Sequence, residues 1–161
     1  MDVSMDYFEE LIRAEVVGGT PANSIIMMGD SQGAGLVVLF LLTRRLASEL
    51  GAVISYAGFP PTDLQSVLNM QRDNDLVGSW TRGTRLHMLQ GAKDVFVPVE
   101  ISRSWFKQLQ KFEREGKGIG KIDWKLLDGV EHFLISPVWP HVREFLEVQV
   151  PDKKLKLKLK L

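Results

Sequence analysis

The sequence predicts an α/β protein built on a parallel sheet with helices on both faces. Three observations carry that expectation: short apolar runs at 24–28, 52–56, 86–89 and 122–127; helical periodicity in the stretches between them; and glycine- or proline-marked breaks at most junctions. A run that is apolar at nearly every position suits a strand buried on both faces, as strands of parallel sheets are. Strand and helix alternate along the chain, a pattern that folds through right-handed crossovers.

Taken in order, the first element is a helix. Tyr7, Phe8, Leu11, Ile12 and Val16 recur at helical spacing until Gly18-Gly19 ends the pattern, which reads as one amphipathic helix. After Thr20-Pro21, the run Ser24-Ile25-Ile26-Met27-Met28 is the first strand, and the polar break Gly29-Asp30-Ser31-Gln32-Gly33 follows it. Residues 34–50 are apolar almost all round at first and amphipathic later, as expected of a helix whose start is buried, and Gly51 closes it. Residues 52–56 form a second strand. Residues 57–84, rich in Gly, Pro, Asp and Asn, form a long loop with one short helix, and loops of that length often carry function. Then come a third strand at 86–89, a helix at 99–112, a fourth strand at 122–127 after a Gly-Lys turn, and a last helix at 137–148, with no internal repeat.

At 161 residues and 45% hydrophobic, the chain is one domain long and can bury a core. Lys plus Arg and Asp plus Glu both number 20, so no net field draws the chain to nucleic acid. Residues 152–161 nevertheless hold Asp152 and five lysines, a local excess of four positive charges that leaves the body mildly acidic. The expected organisation is therefore a domain over residues 1–150 and a Lys/Leu-rich tail over 151–161. Such a tail reads as a disordered extension; the sharper reading is weak contact with an anionic membrane, to which five lysines would contribute on the order of 1 kcal/mol each. Vesicle binding with and without residues 152–161 separates the two. Cysteine is absent, which excludes disulfides, thiolate chemistry and thiolate metal sites. The charged start lacks a secretory leader's pattern, and the longest apolar run, residues 36–42, is too short to cross a bilayer. The expectation is a soluble cytoplasmic protein.

The chemistry concentrates at Gly29-Asp30-Ser31-Gln32-Gly33. Gly-x-Ser-x-Gly between a buried strand and a helix resembles the nucleophile elbow of α/β-hydrolases, in which a strained turn lifts the serine hydroxyl to the top of the sheet. Both glycines are expected to be needed because a side chain there would strike the neighbouring strand or helix. The helix N-terminus favours developing negative charge, which makes the backbone N–H of Gln32 an oxyanion donor. A dinucleotide-binding turn would require Gly-x-Gly-x-x-Gly, which is not present. A serine needs a base to remove its proton, and the base needs a third group to hold its tautomer. Of three histidines, His132 lies just past the fourth strand, where ligands of such sheets bind; His87 lies inside a strand as a satisfied core or edge residue, and His141 falls on the last helix. Asp94 follows the third strand, so Ser31, Asp94 and His132 occur in the order nucleophile, acid, base. Asp128 and Glu131 compete for the acid role but lie too close in sequence to His132 to come from a separate strand end. Asp30 would point away from the pocket.

Set side by side, these segments resemble the acyl-protein thioesterase branch of the phospholipase/carboxylesterase family. Gly29-Asp30-Ser31-Gln32-Gly33 is similar to its Gly-Phe-Ser-Gln-Gly elbow, Gly91-Ala92-Lys93-Asp94-Val95-Phe96-Val97-Pro98 to its Gly-x-x-Asp-x-x-Val-Pro segment, and Gly129-Val130-Glu131-His132 to its Gly-x-x-His ending. The resemblance runs from about Leu11 to Leu146. It implies hydrolysis of acyl thioesters or carboxylic esters, such as those of S-acylated proteins or lysophospholipids, through an acyl-enzyme on Ser31 with no cofactor and no metal. It also implies that Gly58, Phe59 and Pro60 line part of an acyl pocket.

Two features depart from the family. Asp30 stands where an aromatic residue is usual, a spelling also seen in hormone-sensitive-lipase-like esterases, which prefer short acyl chains. Only 28 residues precede Gly29, whereas the family places several strands and a His-Gly loop with a second oxyanion donor before the elbow. The expectation is accordingly an α/β-hydrolase fold truncated at its N-terminus. The nucleophile strand then lacks a neighbour, which invites a homodimer. Loss of one oxyanion donor typically costs about 10²–10³ in rate. The competing expectation is a catalytically weak or inactive hydrolase-fold fragment that acts by binding a partner.

Overall fold

The computed structural model describes residues 2–76, 84–116, 119–132 and 136–149. Four strands, β1 (Ile26–Asp30), β2 (Ala52–Tyr56), β3 (Thr84–Gly91) and β4 (Ile119–Leu127), form one sheet in that order. Every pair is parallel. α1 (Asp2–Val17) precedes β1, α2 (Ser31–Thr43), α3 (Leu64–Asp73) and α4 (Val99–Arg114) lie between successive strands, and α5 (Trp139–Gln149) follows β4. This is the expected α/β-hydrolase type of sheet, and its carboxyl edge gathers Asp30, Tyr56, Gly91 and Leu127 at the ends of the four strands.

Side-chain alternation divides the core into two layers. Val53, Leu86, Met88 and Ile122 face α2 and α4, where Val37, Phe40, Leu41, Trp105 and Leu109 complete a buried cluster. Ala52, Ile54, Tyr56 and Leu89 point the other way, onto Val138, Val142 and Phe145 around α5. Both faces of β2 are therefore covered, which is why residues 52–56 are buried at every position and apolar nearly throughout.

α2 is shorter than the periodicity of residues 34–50 predicts. It ends at Thr43, and a 3-10 turn over Arg45–Glu49 replaces its last part. The Thr43 hydroxyl donates back to the Leu39 carbonyl at 2.7 Å. Side-chain amides of the α3 segment take the terminal carbonyls, Gln71 donating to Leu42 at 2.9 Å and Asn74 to Thr43 at 2.8 Å. These bonds satisfy helix-end acceptors that continued helix would otherwise have used. α3 is the short helix expected within 57–84, started by the Asp63 carboxylate accepting the Ser66 N–H at 2.9 Å.

α1 departs from a simple amphipathic reading. Met5 and Ile12 are buried, and Phe8 meets Phe40 edge to face at 5.8 Å between ring centroids. Tyr7 and Leu11, expected on the buried stripe, are about half exposed and share an outward face with Val3 and Val17. The apolar residues of α1 thus occupy two opposite sides, only one of which meets this core. β1 is likewise an end strand of the sheet, its Ile26, Met27 and Met28 only half buried. No described helix is long and apolar enough to cross a membrane. The tail over 151–161 lies outside the described residues.

His87 was expected to be a satisfied core or edge histidine; it is buried, but it is not satisfied. Its ring lies flat on Phe145 at 4.4 Å, and its Nδ1 is buried with no hydrogen-bond partner among the described residues. Burial pushes its pKa down to about 4, against the opposing pull of Asp123. Because the folded value lies below the unfolded one of roughly 6.5, the folded state loses stability as pH falls from there toward 4. At pH 5 the linkage amounts to about 2 kcal/mol relative to pH 7. Urea midpoints at the two values measure it, and His87→Leu removes most of the difference.

Candidate active site

The site is built where β1 turns into α2. Asp30 ends the strand in extended conformation at φ −118° and ψ 151°, and Ser31 takes φ 50°, the left-handed region that a non-glycine residue enters at a cost of order 1–3 kcal/mol. The chain doubles back so tightly that a Cβ on Gly29 would lie 2.3 Å from the Gly33 carbonyl oxygen. Gly29 is therefore required. Gly33 is not, contrary to the sequence expectation: among the described residues outside its own helix, a Cβ there would meet only the Asp30 carboxylate, at 4.0 Å. That side of the turn faces no neighbouring strand among the described residues, so it has room. Gln32 is the second residue of α2, and the backbone N–H groups of a first helical turn have no acceptor within the helix.

Asp94 sits on the turn after β3, its side chain fully buried. One carboxylate oxygen, Oδ1, accepts the backbone N–H groups of Phe96 at 2.9 Å and Val97 at 2.8 Å. The other, Oδ2, accepts from Gln90 Nε2 at 3.2 Å and lies 2.7 Å from His132 Nδ1. Gln90 is itself wholly buried and also donates to the Val97 carbonyl at 2.9 Å, so it clamps the turn that carries the acid.

His132 hangs from the loop after β4, where Gly129 takes φ 74°. The loop is tied to the acid turn by Ala92 N–H donating to Leu127 O and Lys93 N–H donating to Val130 O, both at 2.9 Å. The described partners of the Asp94 carboxylate include three other N–H donors, so the short contact to His132 is best met by a proton on Nδ1, which makes Nε2 the acceptor. That acceptor lies 2.9 Å from Ser31 Oγ, across 101 positions of sequence. The structure thus brings together Ser31, His132 and Asp94, with the imidazole buried and the serine half exposed.

The remaining sequence candidates fall around this centre. Gly58 is buried against Ala34, Ser55 and Trp105, and the Phe59 carbonyl approaches Gly35 in the first turns of α2. Phe59 is half buried and Pro60 exposed. Asp128 and Glu131 are exposed, and His141 lies 3.8 Å from Glu144 on α5, so none of these joins the cluster. Phe96 was missed as a site residue: it is 65% exposed, yet its ring centroid lies 5.3 Å from that of His132, and with the 81% exposed Val95 it forms an apolar rim beside the imidazole. Tyr56 was read as the last residue of the second strand. Its ring is buried, and burial together with the charges of Asp94 and Asp30 pushes its hydroxyl up to about 12. Among the described residues no three His, Asp or Glu side chains are grouped to hold a metal ion.

A family model described as phospholipase/carboxylesterase matches residues 1–149. The chain is 28% identical over 152 residues to acyl-protein thioesterase 1 of Gibberella zeae, a match that covers 94% of this chain and 59% of that protein. A second curated relative, acyl-protein thioesterase 1 of Cryptococcus neoformans, is 35% identical over 77 residues, covering 47% of this chain and 32% of its own length. Among solved structures, Arabidopsis thaliana SOBER1 superposes with a TM-score of 0.70 at 18% identity, covering 90% of this chain and 62% of that one. That likeness bears on the fold. The chain spans about three-fifths of the length of the first of these curated relatives.

Proposed function

The chain belongs to the phospholipase/carboxylesterase family, and from that premise we propose that it hydrolyses acyl thioesters or carboxylic esters through an acyl-enzyme on Ser31. The observation that carries the reading is the continuous path from Ser31 Oγ through His132 to Asp94, with contacts of 2.9 and 2.7 Å. In this mechanism His132 Nε2 takes the serine proton as Oγ attacks the acyl carbonyl carbon. The Gln32 N–H at the start of α2 donates to the oxyanion as it forms. Collapse of the tetrahedral intermediate expels the thiol or alcohol, which leaves with the proton held by His132. Water then attacks the acyl-enzyme, again deprotonated by His132, and the carboxylic acid departs as Ser31 regains its proton. Asp94 keeps the Nδ1 proton in place throughout.

The apolar rim of Val95 and Phe96, and the segment Gly58-Phe59-Pro60 packed on α2, support an acyl chain as the part of the substrate that the site grips. S-acylated proteins and lysophospholipids carry such chains. A fluorophosphonate probe tests the reading: the folded chain is expected to be labelled on the peptide containing Ser31 and to cleave a palmitoyl thioester. Folded protein that never labels overturns it, and a preference for acetyl and butyryl esters over palmitoyl moves the substrate to the short-chain class.

A second reading is favoured by the outer edge of β1 and the outward apolar face of α1. Both are surfaces on which a sheet-bearing partner would bury apolar area, and a strand with no partner on one side among the described residues, and without charge or proline over Ile26 to Gly29, is prone to pair. On this reading the chain self-associates, and sedimentation at micromolar concentration finds a dimer. A monomer across that range removes it.

A further inference from the structure

We propose that Tyr56 is a positioning residue for His132, its hydroxyl holding the loop of the base at the height where the imidazole meets Ser31. Tyr56 ends β2, directly opposite Asp30 on one side and Leu89 on the other, so it stands between the strand that leads to the nucleophile and the strand that leads to the acid. Its Oη donates to the Glu131 carbonyl at 2.6 Å, and Glu131 immediately precedes His132. The ring is 1% exposed and packs with Leu127, Val130, Val138 and Val142, which leaves the hydroxyl little freedom to point elsewhere.

The need for such a tie follows from the topology. The base hangs from β4, and β2 and β3 separate β4 from β1, so no strand-to-strand hydrogen bond links the base loop to the nucleophile strand. The bonds from Ala92 and Lys93 set the base loop against the acid turn. The Tyr56 bond sets it against the nucleophile, because β2 is the strand next to β1. A hydroxyl suits the task better than a charged group here. Burial, with the charges of Asp94 and Asp30 adding to it, pushes its pKa up to about 12, so the phenol stays protonated and remains a donor near neutral pH.

The inference rests on the hydrolase reading for its kinetic readout and on the His132–Asp94 contact alone for its spectroscopic one. Tyr56→Phe keeps the ring and removes the donor. It is expected to lower the acylation rate, measured with an ester substrate or with the fluorophosphonate probe, about tenfold, with KM within twofold of wild type. The far-downfield proton resonance of the His132 Nδ1–H is expected to broaden or shift. Val142→Ala, which thins the packing around the same ring without touching the hydroxyl, is the control: it lowers the melting temperature but leaves acylation and the resonance near wild type.

Tyr56→Phe with an unchanged resonance and an acylation rate within twofold of wild type overturns the proposal. So does a Val142→Ala variant that reproduces the Tyr56→Phe loss. If Tyr56→Phe does not fold, incorporation of 3-fluorotyrosine, which alters only Tyr7 and Tyr56, replaces it. The stronger donor then shifts the His132 resonance, and an unmoved resonance is the negative result. Wild-type protein that shows the resonance but neither hydrolyses ester nor labels would end the hydrolase reading, and the resonance comparison would still decide the role of Tyr56.

Discussion

Ser31→Ala and His132→Ala each lower kcat for a good ester substrate by about 10⁴–10⁶, and Asp94→Asn by about 10⁴. The size follows from the interdependence of the three groups. Without the imidazole, the serine hydroxyl keeps its proton and is a poor nucleophile. Without the carboxylate, the Nδ1 proton has lost its acceptor, and an asparagine at 94 can present an N–H that turns the imidazole to the wrong tautomer. The residual rate in each variant comes from binding and from the Gln32 donor. The same interdependence sets a stricter test than any single loss: Ser31→Ala combined with His132→Ala is expected to be no slower than either alone. Losses that multiply would mean that the two side chains act separately, and the 2.9 Å contact between them would then carry no mechanism. Circular dichroism of each variant excludes unfolding as the cause, since Ser31→Ala removes a single oxygen from a half-exposed residue.

The second large effect is on stability. Gly29→Ala is expected to cost more than about 3 kcal/mol, a fall in melting temperature of roughly 10 °C in a domain of this size. The added methyl would sit 2.3 Å from the Gly33 oxygen, 2.4 Å from its carbonyl carbon and 2.7 Å from the Ala34 nitrogen. All three are backbone atoms of the first turn of α2, so no side-chain rotation relieves the clash. The turn would have to open, and Ser31 would leave the position from which it reaches His132. Gly33→Ala is the matched comparison. It lies within α2, where outside the helix itself the nearest described atom is an Asp30 carboxylate oxygen 4.0 Å from the new methyl, and replacing a helical glycine by alanine usually stabilises by about 0.5–1 kcal/mol. Urea denaturation of the pair separates the two glycines of one motif. Equal effects would show that the close approach at Gly29 is not what shapes the elbow.

The chain's own order of residues was sufficient for the alternation of strand and helix, the tight turn between the first strand and its helix, and the placing of Asp94 and His132 just past strand ends. Each of those is a local signal. Apolar runs, helical spacing, glycines at breaks and the position of a residue just past a strand can all be read within a few neighbours. Long-range relations were not legible in that way. The 2.6 Å bond from Tyr56 to Glu131 joins residues 75 apart, and it depends on how the strands pair in register and on the buried cluster that Tyr56 shares with Leu127, Val130 and Val142. Whether Gly33 is crowded, which side of α1 is covered, where α2 stops and whether His87 has a partner are likewise settled by what packs alongside, because burial and hydrogen-bond satisfaction belong to the surroundings of a residue and not to its type.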